Sequence, residues 1–254
     1  MAFIINLSSI FKLKRIIPDS LAPFVKLCNE YSKSRCLCSK TLFGMSNYLW
    51  VLKQYYANQK LFNDYKLGKI DDDQFLEALL NVFSFLKNNK RVDDPKKLLA
   101  EAWNGIITWD DESTAHLNQL LDHANRGERV VLMSNTNPLN IEKILYFFEK
   151  HCPEMKLNKE ALKTKNSNEP IQIAPNVYLC LSYRYGLYKE GTPGLLRSIS
   201  QQAGEKATKV TVVSQFPKDL EVARELSLST KTAHDFYTSA TLSPSAQSRV
   251  GARR

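Results

Sequence analysis

The chain has 254 residues, 43% of them apolar and 10% aromatic, enough for one large domain or for a core with a second lobe. No stretch approaches the roughly 18 apolar residues that a membrane-crossing helix requires, which excludes a span of that kind. The net charge of +9 is concentrated near the start and directs attention to anionic partners.

Residues 2–11, AFIINLSSIF, are apolar and are followed by Lys12, Lys14 and Arg15. A secretory signal carries its positive charge ahead of its apolar run, so this segment reads as a buried strand. The expected location is the cytoplasm, or export without a classical signal peptide. Residues 11–60 hold nine Lys and Arg against Asp19 and Glu30, a local excess of +7, together with Phe43, Tyr48, Trp50, Tyr55 and Tyr56. This pattern fits a surface for nucleic acid, anionic membrane or an acidic partner, and equally a solvated helical face with its aromatics turned inward.

Residues 15–109 read as helical, with no convincing strand. Asp71 and Gln74 form a capping-box pair ahead of the apolar stripe Phe75, Leu76, Leu79, Leu80 and Phe83. Asp94-Pro95 opens a further helix carrying Leu98, Leu99, Ala102 and Trp103.

From residue 110 strands and helices alternate. Leu117, Leu120, Leu121 and Ala124 form a helical stripe, VVLMS (130–134) is a continuous apolar strand, and Ile141, Ile144, Leu145 and Phe148 return to helical spacing. VYLCLS (177–182) and VTVVS (210–214) are further strands. Each precedes a helix, the first opened by Thr192-Pro193 and the second by Pro217. Alternation of this kind predicts an α/β fold, a parallel sheet flanked by helices, interrupted after its first strand by an all-helical block. The expected division is a discontinuous core of 1–14 and 110–237, a helical cap of 15–109, and a disordered basic tail of 238–254. Residues 156–176 read as a long surface loop. The five cysteines, Cys28, Cys36, Cys38, Cys152 and Cys180, read as free thiols, because no histidine stands near the cluster to complete a zinc site.

Five segments carry a family resemblance. DYKLGKIDDDQFLEALL (64–80) and AWNGIITW (102–109) resemble a cap signature and its return to the core. RVVLMSNTNP (129–138), NVYLCLSYRYGLYKEGTPGLLRSI (176–199) and VTVVSQFPKDLEVARELSL (210–228) resemble three motif strands. In this order they resemble the haloacid dehalogenase (HAD) superfamily, and within it the helical-cap phosphatases of the glucose-1-phosphate phosphatase type. The resemblance implies a HAD-like Rossmannoid core and a phosphoryl-transfer site. In that site an aspartate ends the first strand as nucleophile, and a second aspartate two residues on acts as acid. A Ser/Thr and a Lys hold phosphate, and acids after the fourth strand complete a magnesium site.

The acids are missing. Asn6 stands at the nucleophile position, Ser8 at the acid position, and Ser214 and Gln215 replace the acidic pair. A neutral amide neither forms an acyl phosphate nor grips a hard cation well. Ser134, Asn135 and Lys189 remain as the phosphate-holding set. The resemblance therefore implies a degenerate site without catalytic residues, without a metal site and without an expected cofactor. Such a protein acts by binding a phosphorylated small molecule or a protein partner. The alternatives are a divergent phosphatase or hydrolase, with Mg²⁺ as cofactor, and a basic cap docking on nucleic acid or anionic membrane.

Within the site, Asn6 and Gln215 are expected to hydrogen-bond each other across the strand ends. Asp219 and Glu221 read as favourable charges near a helix N-terminus, with Asp219 also within reach of a metal position. Ser8, Ser9 and Cys36 are the candidates for a substitute nucleophile, although none of His116, His123, His151 or His234 lies in a motif to act as base.

Overall fold

A computed structural model describes residues 1–7, 10, 12–13, 17–31, 40–152, 159–163, 167, 169–187, 194–204 and 209–241. Its main sheet has six strands in the order β5-β6-β4-β1-β7-β8. These are β1 (Ala2–Asn6), β4 (Arg129–Ser134), β5 (Ile171–Ala174), β6 (Val177–Leu181), β7 (Val210–Ser214) and β8 (Ser229–Thr232). All neighbours pair in parallel except β5, which runs antiparallel to β6. All five residues of β1 are buried. Phe3 and Ile5 face one apolar layer, and Ile4 joins Val131, Met133 and Val212 in the other. A strand covered on both faces has no solvent side, which is why its sequence shows no alternation.

Helices cover both faces. The first layer is packed by α6 (Asp111–Asn125), α7 (Pro138–His151) and α12 (Ala233–Thr241), and the second by α10 (Gly194–Gly204) and α11 (Pro217–Glu225). The start of α6 is set by Asp110, whose carboxylate accepts from the Ser113 N–H at 3.0 Å in a capping box. Asn137 caps α7 through the Asn140 N–H, with Pro138 in the first turn.

The helical block consists of α1 (Ile17–Tyr31), α2 (Lys40–Ala57), α3 (Gln59–Lys66), α4 (Asp72–Val82) and α5 (Pro95–Asn104). The Asp71–Gln74 capping box and the Asp94 cap form as the sequence predicts. Its core is aromatic. Phe62 stacks on Trp103 with centroids 5.5 Å apart, Tyr65 stacks on Phe75 at 3.9 Å, and Phe75 meets Trp103 edge-on at 4.9 Å. The block joins the core through a two-stranded ribbon, β2 (Lys12–Leu13) against β3 (Ile107–Thr108).

Several contacts among the described residues seat the cap on the core. Trp103 donates its indole N–H to Asn137 Oδ1 at 3.2 Å. Ser182 Oγ donates to the Lys66 carbonyl at 2.8 Å and accepts from the Thr136 N–H at 3.1 Å. Lys143 Nζ donates to the Asn104 carbonyl at 2.7 Å. Gly68, at φ +69°, lies so close to the core that a Cβ would stand 2.4 Å from the Tyr183 carbonyl oxygen. Only glycine accommodates both that backbone angle and that approach.

Four expectations are corrected. The stretch read as a loop, 156–176, contains a short helix, α8 (Lys159–Lys163), and the edge strand β5, which buries Ile171, Ile173 and Ala174. A two-residue turn at Pro175-Asn176 joins β5 to β6, with Asn176 at φ +60° and its amide donated to the Ala124 carbonyl. The segment leading back from the cap contains β3, too short to carry a periodic signal. β8, unmarked in sequence because its four residues are polar or lysine, adds a second edge. The helix α12 continues past residue 238 to Thr241, so the tail begins later than expected. Thr192-Pro193 and residues 242–254 lie outside the described residues.

Two predictions follow from this packing. Gly68→Ala is expected to lower the unfolding free energy by about 2–4 kcal/mol, read from urea denaturation, because the strained φ and the clash with backbone act together. Cys28, Cys152 and Cys180 are buried free thiols, and desolvation pushes the Cys28 and Cys180 thiols up to about 12. Their neutral form therefore favours the fold below the ordinary thiol value, a contribution lost as pH rises toward 12. All three should resist thiol-reactive reagents at pH 8 in the native protein and react on unfolding.

Candidate functional site

The parallel register brings Asn6, Ser134 and Ser214 to the same edge of the sheet. Ile5 pairs with Val213, which sets Asn6 beside Ser214, and Asn6 pairs with Met133, one residue before Ser134. The chain runs from β1 to β4 and β6 on one side, then crosses back to β7 on the other. The carboxyl end of β1 therefore lies at the switch point, where open α/β sheets form their binding crevice.

At that crevice Asn6 is 1% exposed, Ser214 is fully buried and Asp219 is 1% exposed. Asn6 Nδ2 donates to Asp219 Oδ2 at 2.7 Å and lies 3.2 Å from Ser214 Oγ. Ser214 Oγ donates to the same carboxylate oxygen at 2.6 Å and accepts from the Phe216 N–H at 3.1 Å. A carboxylate accepts and never donates when ionised, so it fixes the orientation of the Asn6 amide with the NH₂ inward. Pro217 starts α11 two residues before Asp219, which delivers the carboxylate back toward the strand ends and near the positive end of the helix.

This placement revises the sequence reading. Asp219 is more than a helix-terminal charge, since it is the acceptor that holds the strand ends together. Asn6 bonds Ser214 and Asp219, and Gln215 follows Ser214 half-buried. The crevice is therefore not wholly neutral. The sequence carried a signal for this, an acid in the first turn of the helix after a motif strand, but its partner was not deducible.

Of the phosphate-holding set, Ser134 and Asn135 sit half-buried at the end of β4, and Lys189 lies outside the described residues, as do Ser8, Ser9, Cys36 and Cys38. Among the described residues, three of the four histidines pack elsewhere. His116 stacks on Tyr237, His123 lies against Phe3 and bonds Glu128, and His151 packs on Phe147. His123 and Glu128 are at the amino ends of the strands, remote from Asn6. In the basic stretch 11–60, Lys26 pairs with Glu30 and Lys60 with Asp64, while the side chains of Lys12, Lys14, Arg15, Lys33, Arg35 and Lys40 lie outside the description.

The fold is that of the HAD family. The chain superimposes on the magnesium complex of a HAD family enzyme from Bacteroides thetaiotaomicron with a TM-score of 0.61 at 17% identity, covering 95% of this chain and 98% of that one. A complex of that enzyme with magnesium and inorganic phosphate gives 0.58 at 18% identity, with 91% and 92% coverage. A HAD-like family hydrolase from Porphyromonas gingivalis gives 0.51 at 16% identity, with 91% and 89% coverage. No protein-family profile matches the chain, and no curated protein matches it in sequence.

The donors at the crevice do not fit magnesium. That ion requires near-octahedral hard oxygen ligands with carboxylates among them. Among the described residues one carboxylate, Asp219, stands there, and it already receives the Asn6 amide and the Ser214 hydroxyl on one oxygen. Asp219→Ala should cost about 2–3 kcal/mol in chemical denaturation, because it leaves two buried donors without their acceptor. Asn6→Asp should set two carboxylates against each other. Its melting temperature should fall without divalent ions and recover with Mg²⁺, whereas the parent protein should not respond to Mg²⁺.

Proposed function

We propose that this HAD-fold protein is not a phosphatase and acts by binding a phosphorylated small molecule at the carboxyl edge of its sheet. The observation that carries the reading is the bonded state of Asn6. At the strand end where HAD phosphatases attack phosphorus, this chain has an amide committed to a carboxylate. An amide nitrogen is no nucleophile at neutral pH, and loss of a nucleophile alone removes several orders of magnitude in rate. Ser214, the hydroxyl in the cluster, is fully buried and so out of reach of a ligand in the crevice.

Support for an anionic ligand comes from Ser134 and Asn135 at the switch point and from Lys189, the cation that the family resemblance assigns to phosphate. With the acids replaced, less negative charge opposes a phosphate there, so binding without a divalent ion is expected. A protein partner at the same edge is the alternative ligand.

A thermal-shift titration with inorganic phosphate and sugar phosphates tests the reading. Melting should rise by about 2–4 °C at ligand concentrations several times the dissociation constant. The shift should persist in EDTA and be lost in Lys189→Ala. A phosphoester panel with Mg²⁺ should show no turnover above background. Magnesium-dependent turnover that disappears in Asn6→Ala would establish the divergent hydrolase instead.

A further inference from the structure

On the outer face of the core a groove of about 340 Å³ runs along α7. Among the described residues its floor is apolar, formed by Ile141 and Leu145 of α7, Leu162 of α8 and the ring of Tyr183. The Tyr183 hydroxyl donates to the Leu162 carbonyl at 2.7 Å, so the phenol is satisfied within the floor. The rim has a different character. Glu142, Tyr146 and Glu149 are exposed, and their spacing puts them on one face of the helix. At the helical rise per residue the two glutamates stand about 10 Å apart along the groove, with Tyr146 between them. Asn6, Ser214 and Asp219 are not among the walls.

Glu142 gives the groove its charge. Among the described residues it has neither a salt bridge nor a hydrogen bond. Lys143, its neighbour in the chain, is turned to the Asn104 carbonyl and the Trp109 ring. Burial pushes the Tyr183 phenol up, and the charge of Glu142 adds to the shift, so this carboxylate lies within electrostatic reach of the floor. Tyr146, 60% exposed, offers a ring face beside it, and such faces attract cations.

An apolar floor beneath an uncompensated carboxylate suits a cation with a hydrocarbon body. The hydrocarbon covers the floor while the charge stays at the wet rim. An anion would be repelled there, and a neutral apolar molecule would leave the rim unused. The chain as a whole carries +9, so it does not draw cations in general, and affinity for one must arise locally. A cavity of about 150 Å³ holds benzene, so the larger space here accepts a ring with a short alkyl chain.

We propose that this groove binds a small amphipathic amine, with its hydrocarbon on Ile141, Leu145 and Leu162 and its ammonium on Glu142 beside Tyr146. The assignment is independent of the strand-end reading, with which it shares no residue.

The probes are 4-phenylbutylamine and 4-phenylbutanol, nearly equal in shape and differing in charge. Calorimetric titration at low salt should give the amine a Kd on the order of 1 mM, reasonable for about eleven non-hydrogen atoms. The alcohol should bind roughly three- to fivefold more weakly, the range expected of one exposed ion pair. Added NaCl should narrow the difference. Glu142→Gln should make the two probes equal, and Tyr146→Ala should weaken both several-fold. Both residues are exposed, so the melting temperature of each variant should match that of the parent protein. No amine binding well above that concentration, equal affinity of the two probes for the parent protein, or a charge preference that persists in Glu142→Gln would overturn the assignment. Binding in the cap instead would be insensitive to both substitutions, and would overturn it as well.

Discussion

One buried carboxylate organises the crevice. Asp219 Oδ2 receives the Asn6 amide and the Ser214 hydroxyl, and through them it ties the ends of β1 and β7 to the first turn of α11. A buried carboxylate is tolerated only when its lone pairs are met by donors. Asn6 and Ser214 supply them at Oδ2. The three side chains are thereby tied into one buried hydrogen-bonded cluster.

The cap is held to this edge by directional contacts as well as by packing. Trp103 belongs to the aromatic core of the cap and also donates to Asn137, the residue that caps α7 of the core. Ser182 bonds to both Lys66 and Thr136, and Gly68 brings the cap backbone against Tyr183. These contacts close the cap around a space that its large rings do not fill. Aromatic rings have few rotamers and flat faces, so a small helical bundle built from them leaves gaps where aliphatic side chains would adapt. A cavity of about 210 Å³, lined by Phe24, Phe62, Phe83 and Trp103 among others, follows from how the cap is built.

Much of the architecture was legible in the chain. The Asp71–Gln74 box, the Asp94-Pro95 start and the continuous apolar strands 130–134 and 210–214 are local signals that tertiary packing left unchanged. The elements that escaped reading lie at edges. β8 has four polar or lysine residues because one side of it meets solvent, and β3 spans two residues. β5 has a visible Ile-x-Ile alternation, but it is embedded in a Lys- and Asn-rich stretch that suggested a loop.

The sequence by itself determined the order of strands and helices and the insertion of the cap, and it shows Asn6, Ser8, Ser214 and Gln215 at the positions where the family resemblance expects acids. Periodicity, capping and side-chain chemistry are properties of short segments, and they need no partner to be read. Tertiary structure alone decided that Asp219, 213 residues away, would be the acceptor for Asn6, and that Trp103 of the cap would donate to Asn137 of the core. Both depend on distances between segments that sequence spacing does not encode, because a hydrogen bond or a void exists only once the chain has closed around it.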